Sequence, residues 1–545
     1  MNIDTSNLDK GNAELLEKLC QVNSLVWAKT NRLQLRDGVY FELEGMPYLD
    51  GIVACKKPIR NYKKGTQVCM TTTNFVDAVH SCYYHKYDQN IIYMMPTINA
   101  VQKLSQVSFS PILKCNKWLK KYIGTDTALI KSINGRSIIF TGAQPQSIDN
   151  ATDTKDSVNL RSIPADCVYR DEIDLMDVDM VDMSKQRLNR SKFGIEINFG
   201  SPTCPDFGID ALYDNSDQQC FLIKCNSCGH WTHLPTSFPN CVIPKDGRWI
   251  RACEKCHAEI FSSDGQWVAK FPDRQEAGFW IDSLLTPIDR LLGTFVQRYN
   301  NCTPRQMLEF QRSVLGIAGI EAENQLDLPL VYSRCGSEQM ATVSDVETVM
   351  GVDVDPQMHV VIGTKTTRET YEILHTCRVD DFNQLHDLMH KFNVKYYVID
   401  AMPDIHATKD FVKTHNGGWR CHYSETMQNA PEFNNEERTV KCNRNEWCDK
   451  VHDTFYTNKI VIPRKSPEIE TYAYQLTRTA KVLVENPDTG LKKPRWIKKS
   501  GKEDHYYHAT LYFLLAAMKS QPVRKSGFNE SNSNRYKFAK SNFHI

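Results

Sequence analysis

Four cysteines fall as two CxxC pairs, Cys225 and Cys228 in CNSCGH and Cys253 and Cys256 in CEKCHA, separated by 24 residues. Thiolate pairs at this spacing can close a tetrahedral shell, the arrangement of a structural Zn²⁺ site with no open position for chemistry. Four unrelated buried cysteines are the alternative, and His230, His233 and His257 are nearby spare ligands; the symmetric Cys₄ set is preferred. The remaining chemistry is acidic. In CVYRDEID, residues 167–174, an apolar run ends in Asp171 and Glu172. One carboxylate there suits Mg²⁺ and the next an attacking water. An acidic turn after a buried strand explains the same two residues. VMGVDVD carries Asp353 and Asp355, KYYVID ends in Asp400, and Asp504 stands before the apolar HATLYFLLAA, which begins with His508. Carboxylates far apart in sequence but converging in space are what two-metal phosphodiester hydrolysis needs. Each alone is equally a turn or strand-end residue.

The segments that must position these residues alternate β-type runs with stretches of helix length. From 51 to 210 the runs are GIVAC, NIIYMMP, RSIIFTG, DCVYRDE and GIEINFGSP, the rhythm of an α/β sheet with functional groups past its strand ends. No GxxxxGK[ST] occurs in the first 200 residues. KKGTQVCMTT, 63–72, offers Lys64 for phosphates and Thr71 for Mg²⁺ if the lysine enters from the front of the loop; a basic surface turn is the plainer reading. GSPT, with Ser201 and Thr203, is a hydroxyl-rich turn after another strand, while Asp174, Asp177, Asp179 and Asp182 read as a solvated helix start. A helical candidate spans Leu291 to Leu315, and a second α/β block runs from VMGVDVD to HATLYFLLAAMK. Just before Asp504, GLKKPRWIKKSGK (490–502) has six Lys/Arg and Trp496, a basic flap suited to a phosphate backbone.

With 545 residues and a prior of about 150 per domain, three to four domains are expected. The net charge of +1 excludes a uniformly basic nucleic-acid coat but not a locally basic channel or tail. Leu511 to Met518 is well short of the roughly 20 residues of a membrane span, so no anchor is expected. MNIDTSNLDK does not read as a signal peptide, which suggests a reducing compartment for the 19 cysteines.

In order, KKGTQVCMTT, IIYMMPTINAVQKLS, LRSIPADCVYRDEID and FGSPT resemble the large terminase subunit of tailed double-stranded DNA bacteriophages, most like its lambda-type, GpA-like branch. The resemblance covers about residues 40–520. It implies an α/β chain: a P-loop ATPase sheet domain with a small zinc-ribbon insert, then an RNase H-like nuclease domain. The boundaries expected are 1–50 for an N-terminal segment, 51–210 for the ATPase core, 211–270 for the zinc insert, 271–340 for ATPase completion and linker, 341–518 for the nuclease, and 519–545 for a basic flexible tail. Carried over by position, Lys64 is the lysine of a deviant Walker A, Thr71 its hydroxyl, Asp171 the Mg²⁺ acid, Glu172 the catalytic carboxylate, Ser201 to Thr203 the coupling turn, and Tyr48 an adenine contact. Asp353, Asp400 and Asp504 become the nuclease metal ligands, with His508 assisting where some relatives carry another acid. The family's loop arginine is replaced by Gln67 and its glycine by Cys69, leaving Arg60 or Lys63 to supply the charge.

The implied function is ATP-driven translocation of viral double-stranded DNA into a procapsid, coupled to metal-dependent endonucleolytic cutting. ATP, Mg²⁺ (or Mn²⁺ at the nuclease) and structural Zn²⁺ are the implied cofactors. Double-stranded DNA, a small terminase subunit, the portal ring and a homo-oligomeric ring are the implied partners. The implied location is the host cytoplasm with transient procapsid docking, outside the mature virion. Two alternatives stay open: an endonuclease with a degenerate ATPase, and a non-enzymatic zinc-containing DNA-binding assembly protein.

Overall fold

Apolar runs buried on both faces become central strands of a parallel sheet. In the computed structural model this is clearest at Ala165–Asp171, where all seven residues are buried. The structure describes residues 10–42, 44–143, 160, 163–320, 324–424, 427, 430–485, 492–499, 501–523 and 536–538. They group into one unit of Met1–Gly319 with Val484–Lys493, and another of Ile320–Leu483 with Pro494–Ile545.

The first unit is built on β1 (Ile59–Lys64), β2 (Asn90–Met95), β3 (Arg136–Gly142), β4 (Ala165–Asp171), β5 (Ile195–Gly200), β6 (Gln219–Lys224) and β7 (Ala277–Ile281). Their order is β6-β7-β1-β5-β4-β2-β3, all parallel, with antiparallel strands added at both edges. Helices α1 (Met70–Tyr83) and α2 (Gly208–Asn215) follow β1 and β5. The run GIVAC, expected as a strand, is instead part of the helix Tyr48–Ala54. It buries Tyr48, Leu49 and Ile52, and at Gly51 an added Cβ would lie 2.4 Å from Trp267 Cδ1, so the helix seats directly on that indole. The helix expected over 291–315 is divided into Asp289–Asn301 and Pro304–Phe310, because Thr303 caps a new start with Pro304 at its first position.

The second unit holds an eight-stranded sheet. Its inner strands are β8 (Thr348–Asp353), β9 (Met358–Lys365), β10 (Tyr371–Val379), β11 (Val394–Asp400), β12 (Gly418–Ser424) and β13 (Thr439–Asn443), in the order β13-β12-β11-β8-β9-β10. β8, β11, β12 and β13 run parallel, and β9 and β10 complete an antiparallel meander. The helices used below are α3 (Ile405–Thr414), α4 (Pro467–Leu476) and α5 (His505–Ala517). Gly351 of β8 explains how closely α5 lies on the sheet: an added Cβ there would sit 2.1 Å from Ala509 O and 2.2 Å from Phe513 N.

The basic segment expected as a flap contains a strand, Lys492–Lys498, paired with Thr479–Glu485. Trp496 is 1% exposed and donates from Nε1 to Asp449 Oδ1 at 2.8 Å, so it packs the unit rather than offering a face to a base. Within the tail expected to be flexible, Tyr536–Phe538 pairs antiparallel with Ala341–Ser344; residues 524–535 and 539–545 lie outside the described residues.

Candidate functional site

Two sheet edges and one cysteine cluster collect the residues singled out above. At the first edge, β1 delivers Lys64 and β4 delivers Asp171 and Glu172, with β5 between them. Lys64 Nζ donates to Glu172 Oε1 at 2.6 Å, Tyr93 Oη donates to Asp171 Oδ2 at 3.2 Å, and the Thr71 hydroxyl bonds Asp171. Burial, then the neighbouring Glu172 charge, pushes the Asp171 carboxyl up to about 7 against the pull of Lys64. The loop between β1 and α1 holds Gln67 at φ 58° and Cys69 at φ 57°. Left-handed residues ahead of a helix N-terminus are one way a loop can turn backbone N–H groups toward an anion. Cys69 therefore adopts the conformation that a glycine would hold easily.

Neither proposed substitute for the loop arginine lies in the loop. Arg60 sits two residues down the same face of β1 as Tyr62, buried near Asp77 and Tyr169, while Lys63 points to the opposite face. There Lys63 donates to Asp210 Oδ1 at 3.0 Å and lies 4.4 Å from the Trp280 ring centroid. Tyr48 lies against the loop: it is 2% exposed, its hydroxyl donates to Val68 O at 3.3 Å, and its ring packs edge-on to Phe221.

In the turn after β5 the two hydroxyl residues divide. Ser201 N–H donates to Glu172 Oε2 at 3.1 Å, whereas Thr203 donates from both N and Oγ1 to Asp174 Oδ2 at 2.8 Å. Asp174 is 7% exposed and also accepts from Ile209 N, so it is a buried brace rather than a solvated acid; burial pushes its carboxyl up to about 7. Asp177 keeps the expected role, capping the next helix.

In the insert, Cys225 and Cys228 lie just after β6, and Cys253 and Cys256 just after the strand Arg248–Arg251. Cys225 Sγ is 3.6 Å from Cys256 Sγ, Cys228 Sγ is 3.6 Å from Cys253 Sγ, and the four sulfurs lie within 4.8 Å of one another. A tetrahedral ion with metal–sulfur bonds of about 2.3 Å requires sulfurs about 3.8 Å apart, so the four fit Zn²⁺. Matching backbone turns build the two halves: Gly229 N donates to Cys225 O and His257 N to Cys253 O, with Gly229 at φ 73° and His257 at φ 59°. Burial opposes ionisation of Cys225, but the amides of Cys228 and Ser227 bring its thiol down to about 7. Of the spare histidines, His233 packs on Trp280 and His230 faces Glu254.

At the second edge Val352 pairs with Ile399, which makes Asp353 and Asp400 the next residues on neighbouring parallel strands. Asp400 is pushed up to about 6 by burial and by the Asp353 charge. Asp504 precedes α5 and is 3% exposed; Lys498 Nζ lies 3.1 Å from its Oδ1, and His508 Nε2 lies 3.5 Å from its Oδ2. Burial would raise this carboxyl, yet the bond to His508 and the Lys498 charge hold it below the ordinary range. His508 Nδ1 meets Tyr423 Oη at 2.8 Å. Asp404 caps α3 by accepting from Ala407 N and is not part of the cluster. His505 went unnoticed in the sequence: its Nδ1 lies 2.9 Å from Asp353 Oδ2 and its Nε2 lies 3.2 Å from Asp355 Oδ2. The available signal was the i, i+3 spacing of His505 and His508, which puts both on one helix face.

Residues 39–280 match the family model described as the phage terminase large subunit gpA, ATPase domain. The match assigns residues 39–280 as a gpA-type terminase ATPase domain. No curated protein matches it. Among solved structures it is similar to the large terminase of bacteriophage HK97, at 9% identity and a TM-score of 0.53, covering 91% of this chain and 99% of that one. That likeness shows the fold of a large terminase. The large terminase from a thermophilic bacteriophage matches at 12% identity and a TM-score of 0.30, over 92% of this chain and 98% of that one. The Thermus phage P74-26 ATPase domain matches at 12% identity and a TM-score of 0.31, over 49% of this chain and 90% of that one. Among the described residues, no helix is long and apolar enough to cross a membrane.

Proposed function

We propose that this terminase subunit drives viral double-stranded DNA into a procapsid by ATP hydrolysis and cuts the concatemer with a metal-dependent endonuclease in its second unit. The observation that carries this reading is the meeting of Lys64, Thr71, Asp171, Glu172 and Ser201 at one parallel-sheet edge within the gpA-type ATPase domain. Lys64 would leave Glu172 for the phosphates, and Thr71 and Asp171 would hold Mg²⁺. Bound Mg²⁺ neutralises charge developing on the phosphoryl oxygens. Glu172, freed from Lys64 but still bonded to Ser201 N, is then placed to accept a proton from the attacking water. Because Glu172 and Asp174 both bind the turn after β5, a change at Glu172 reaches Ser201 directly, which supports a coupling role for that turn.

In the second unit Asp353, Asp400 and Asp504 would hold Mg²⁺ or Mn²⁺, with His508 beside Asp504. Zn²⁺ in the Cys₄ cluster would be structural. The partners proposed are DNA, a small terminase subunit, the portal ring and further copies of this chain in a ring; the site of action is the host cytoplasm, at the procapsid. The test uses purified full-length chain in two assays. Lys64→Ala should abolish ATP turnover and spare Mn²⁺-dependent plasmid relaxation, whereas Asp353→Asn should do the reverse. A Lys64→Ala variant with wild-type turnover would refute the motor assignment.

A further inference from the structure

His505 bridges two acids at the carboxylate edge of the second unit. Asp353 Oδ2 lies 2.9 Å from its Nδ1 and Asp355 Oδ2 lies 3.2 Å from its Nε2. Each carboxylate oxygen accepts from the ring nitrogen it faces when that nitrogen carries its proton. His359, opposite Asp353 on β9, stacks on this ring at 4.7 Å between centroids and 23° between planes. His359 is itself held in place: its Nδ1 lies 3.1 Å from Gln357 O and its Nε2 lies 3.3 Å from the Gln475 amide nitrogen. Gln475 Oε1 in turn accepts from Tyr506 N at 2.8 Å, the residue after His505. Two strands and two helices therefore fix the orientation of one imidazole.

The main chain reinforces it. Gly351 and Asp353 lie on one face of β8, and His505 and Ala509 lie one turn apart on α5. The absence of a side chain at Gly351 lets Ala509 approach the strand, and this brings His505 within reach of Asp353.

We propose that His505 is a positioning residue for the nuclease: anchored by Asp355 and stacked on His359, it holds Asp353 Oδ2 so that Oδ1 is presented to the divalent ion. This rests on the nuclease reading above. A ligating carboxylate steadied by a hydrogen bond on its other oxygen keeps its geometry while the ion arrives, and losing such an outer partner typically weakens metal binding or activity 10- to 100-fold. Asp355 thereby acquires a role of its own, two bonds removed from the metal.

The test is Mn²⁺ titration of the full-length, zinc-loaded chain, following the signal of free aqueous Mn²⁺ by electron paramagnetic resonance and counting only the sites that Asp353→Asn removes. His505→Ala should raise the Kd for Mn²⁺ about 10- to 100-fold with zinc content and far-ultraviolet circular dichroism unchanged. His505→Gln, which keeps one N–H donor, should recover part of that loss, and Asp355→Asn should fall between wild type and His505→Ala. In plasmid cleavage the Mn²⁺ requirement should rise more than the rate at saturating Mn²⁺ falls. Unchanged or tighter Mn²⁺ binding in folded His505→Ala would overturn the proposal. Equal cleavage by wild type and Asp353→Asn would overturn it too, but by removing the nuclease reading itself.

Discussion

The cysteine cluster and the carboxylate edge of the second unit are both proposed cation sites, and they are built differently. In the insert the four sulfurs already lie within 4.8 Å, held by two backbone turns of the same design. Among the described residues no other His, Cys, Asp or Glu group reaches that closeness. The carboxylates of β8 and α5 are instead tied to basic side chains, Asp353 to His505 and Asp504 to Lys498. A site made by the main chain suits an ion that stays, whereas a site made by side chains with internal counter-charges suits an ion that comes and goes. The ATPase edge combines the two, with a curved backbone loop beside the side-chain pair Lys64–Glu172.

Removing one thiolate should have the largest effect. Cys253→Ser should abolish stoichiometric zinc, measured by elemental analysis, and unfold the insert, since structural zinc supplies about 10–16 kcal/mol in comparable small domains. Retention of one zinc per chain with the insert still protected from proteolysis would break the comparison. Asp353→Asn is the matching change at the other site. It should lower Mn²⁺-dependent plasmid cleavage by about 10³-fold or more, from the loss of several kcal/mol of metal-borne stabilisation, while the chain stays folded and keeps its zinc.

Glu172→Gln should come next, lowering ATP turnover by about 10²- to 10⁴-fold with nucleotide binding largely kept. Measurement in an assembled motor decides whether this carboxylate acts in the chemical step. A pH titration then separates the two cation sites. Burial and Asp353 hold the Asp400 carboxyl at about 6, so ion binding there must release a proton below that pH. Mn²⁺ affinity should fall about tenfold per pH unit below 6 for this one proton. The sign for folding is opposite: in the ion-free chain, the raised Asp400 contributes stability that is complete below the ordinary carboxyl value of about 4. That contribution is lost as pH rises through about 6. A flat Mn²⁺ affinity between pH 5 and 7 would remove Asp400 from the site.

What could be read from sequence followed from periodicity and spacing. DCVYRDE and KYYVID announced buried strands ending in acids, and the CxxC pairs announced their own cluster. The failures have physical causes. GIVAC has strand-like composition, but the helix Tyr48–Ala54 forms because Gly51 meets Trp267, a contact over 200 residues away in the chain. Asp174 looked like one acid among many, and only the fold brings Thr203 and Ile209 to it. Trp496 looked available to DNA until Asn445 and Asp449 were seen to hold it. In each case a long-range contact decided the matter.

The smallest effect tests whether backbone shape alone explains the unusual phosphate loop. Cys69 holds φ 57° with its side chain exposed, and an L residue in this region costs about 1–2 kcal/mol that glycine avoids. Glycine in turn loses about 0.5–1 kcal/mol through the freer unfolded chain. Cys69→Gly should therefore leave stability within about 1 kcal/mol of wild type, seen as a Tm change of a few degrees at most, and should leave ATP affinity unchanged. Cys69→Val places a β-branched side chain where left-handed backbone is least tolerated, so the loop should reopen and ATP binding should weaken. If valine binds ATP as well as glycine does, the left-handed turn is not what shapes the loop, and the replacement of the family glycine by cysteine has no conformational consequence. If glycine and valine diverge as expected, the ATPase loop belongs with the zinc turns as a site written in the main chain.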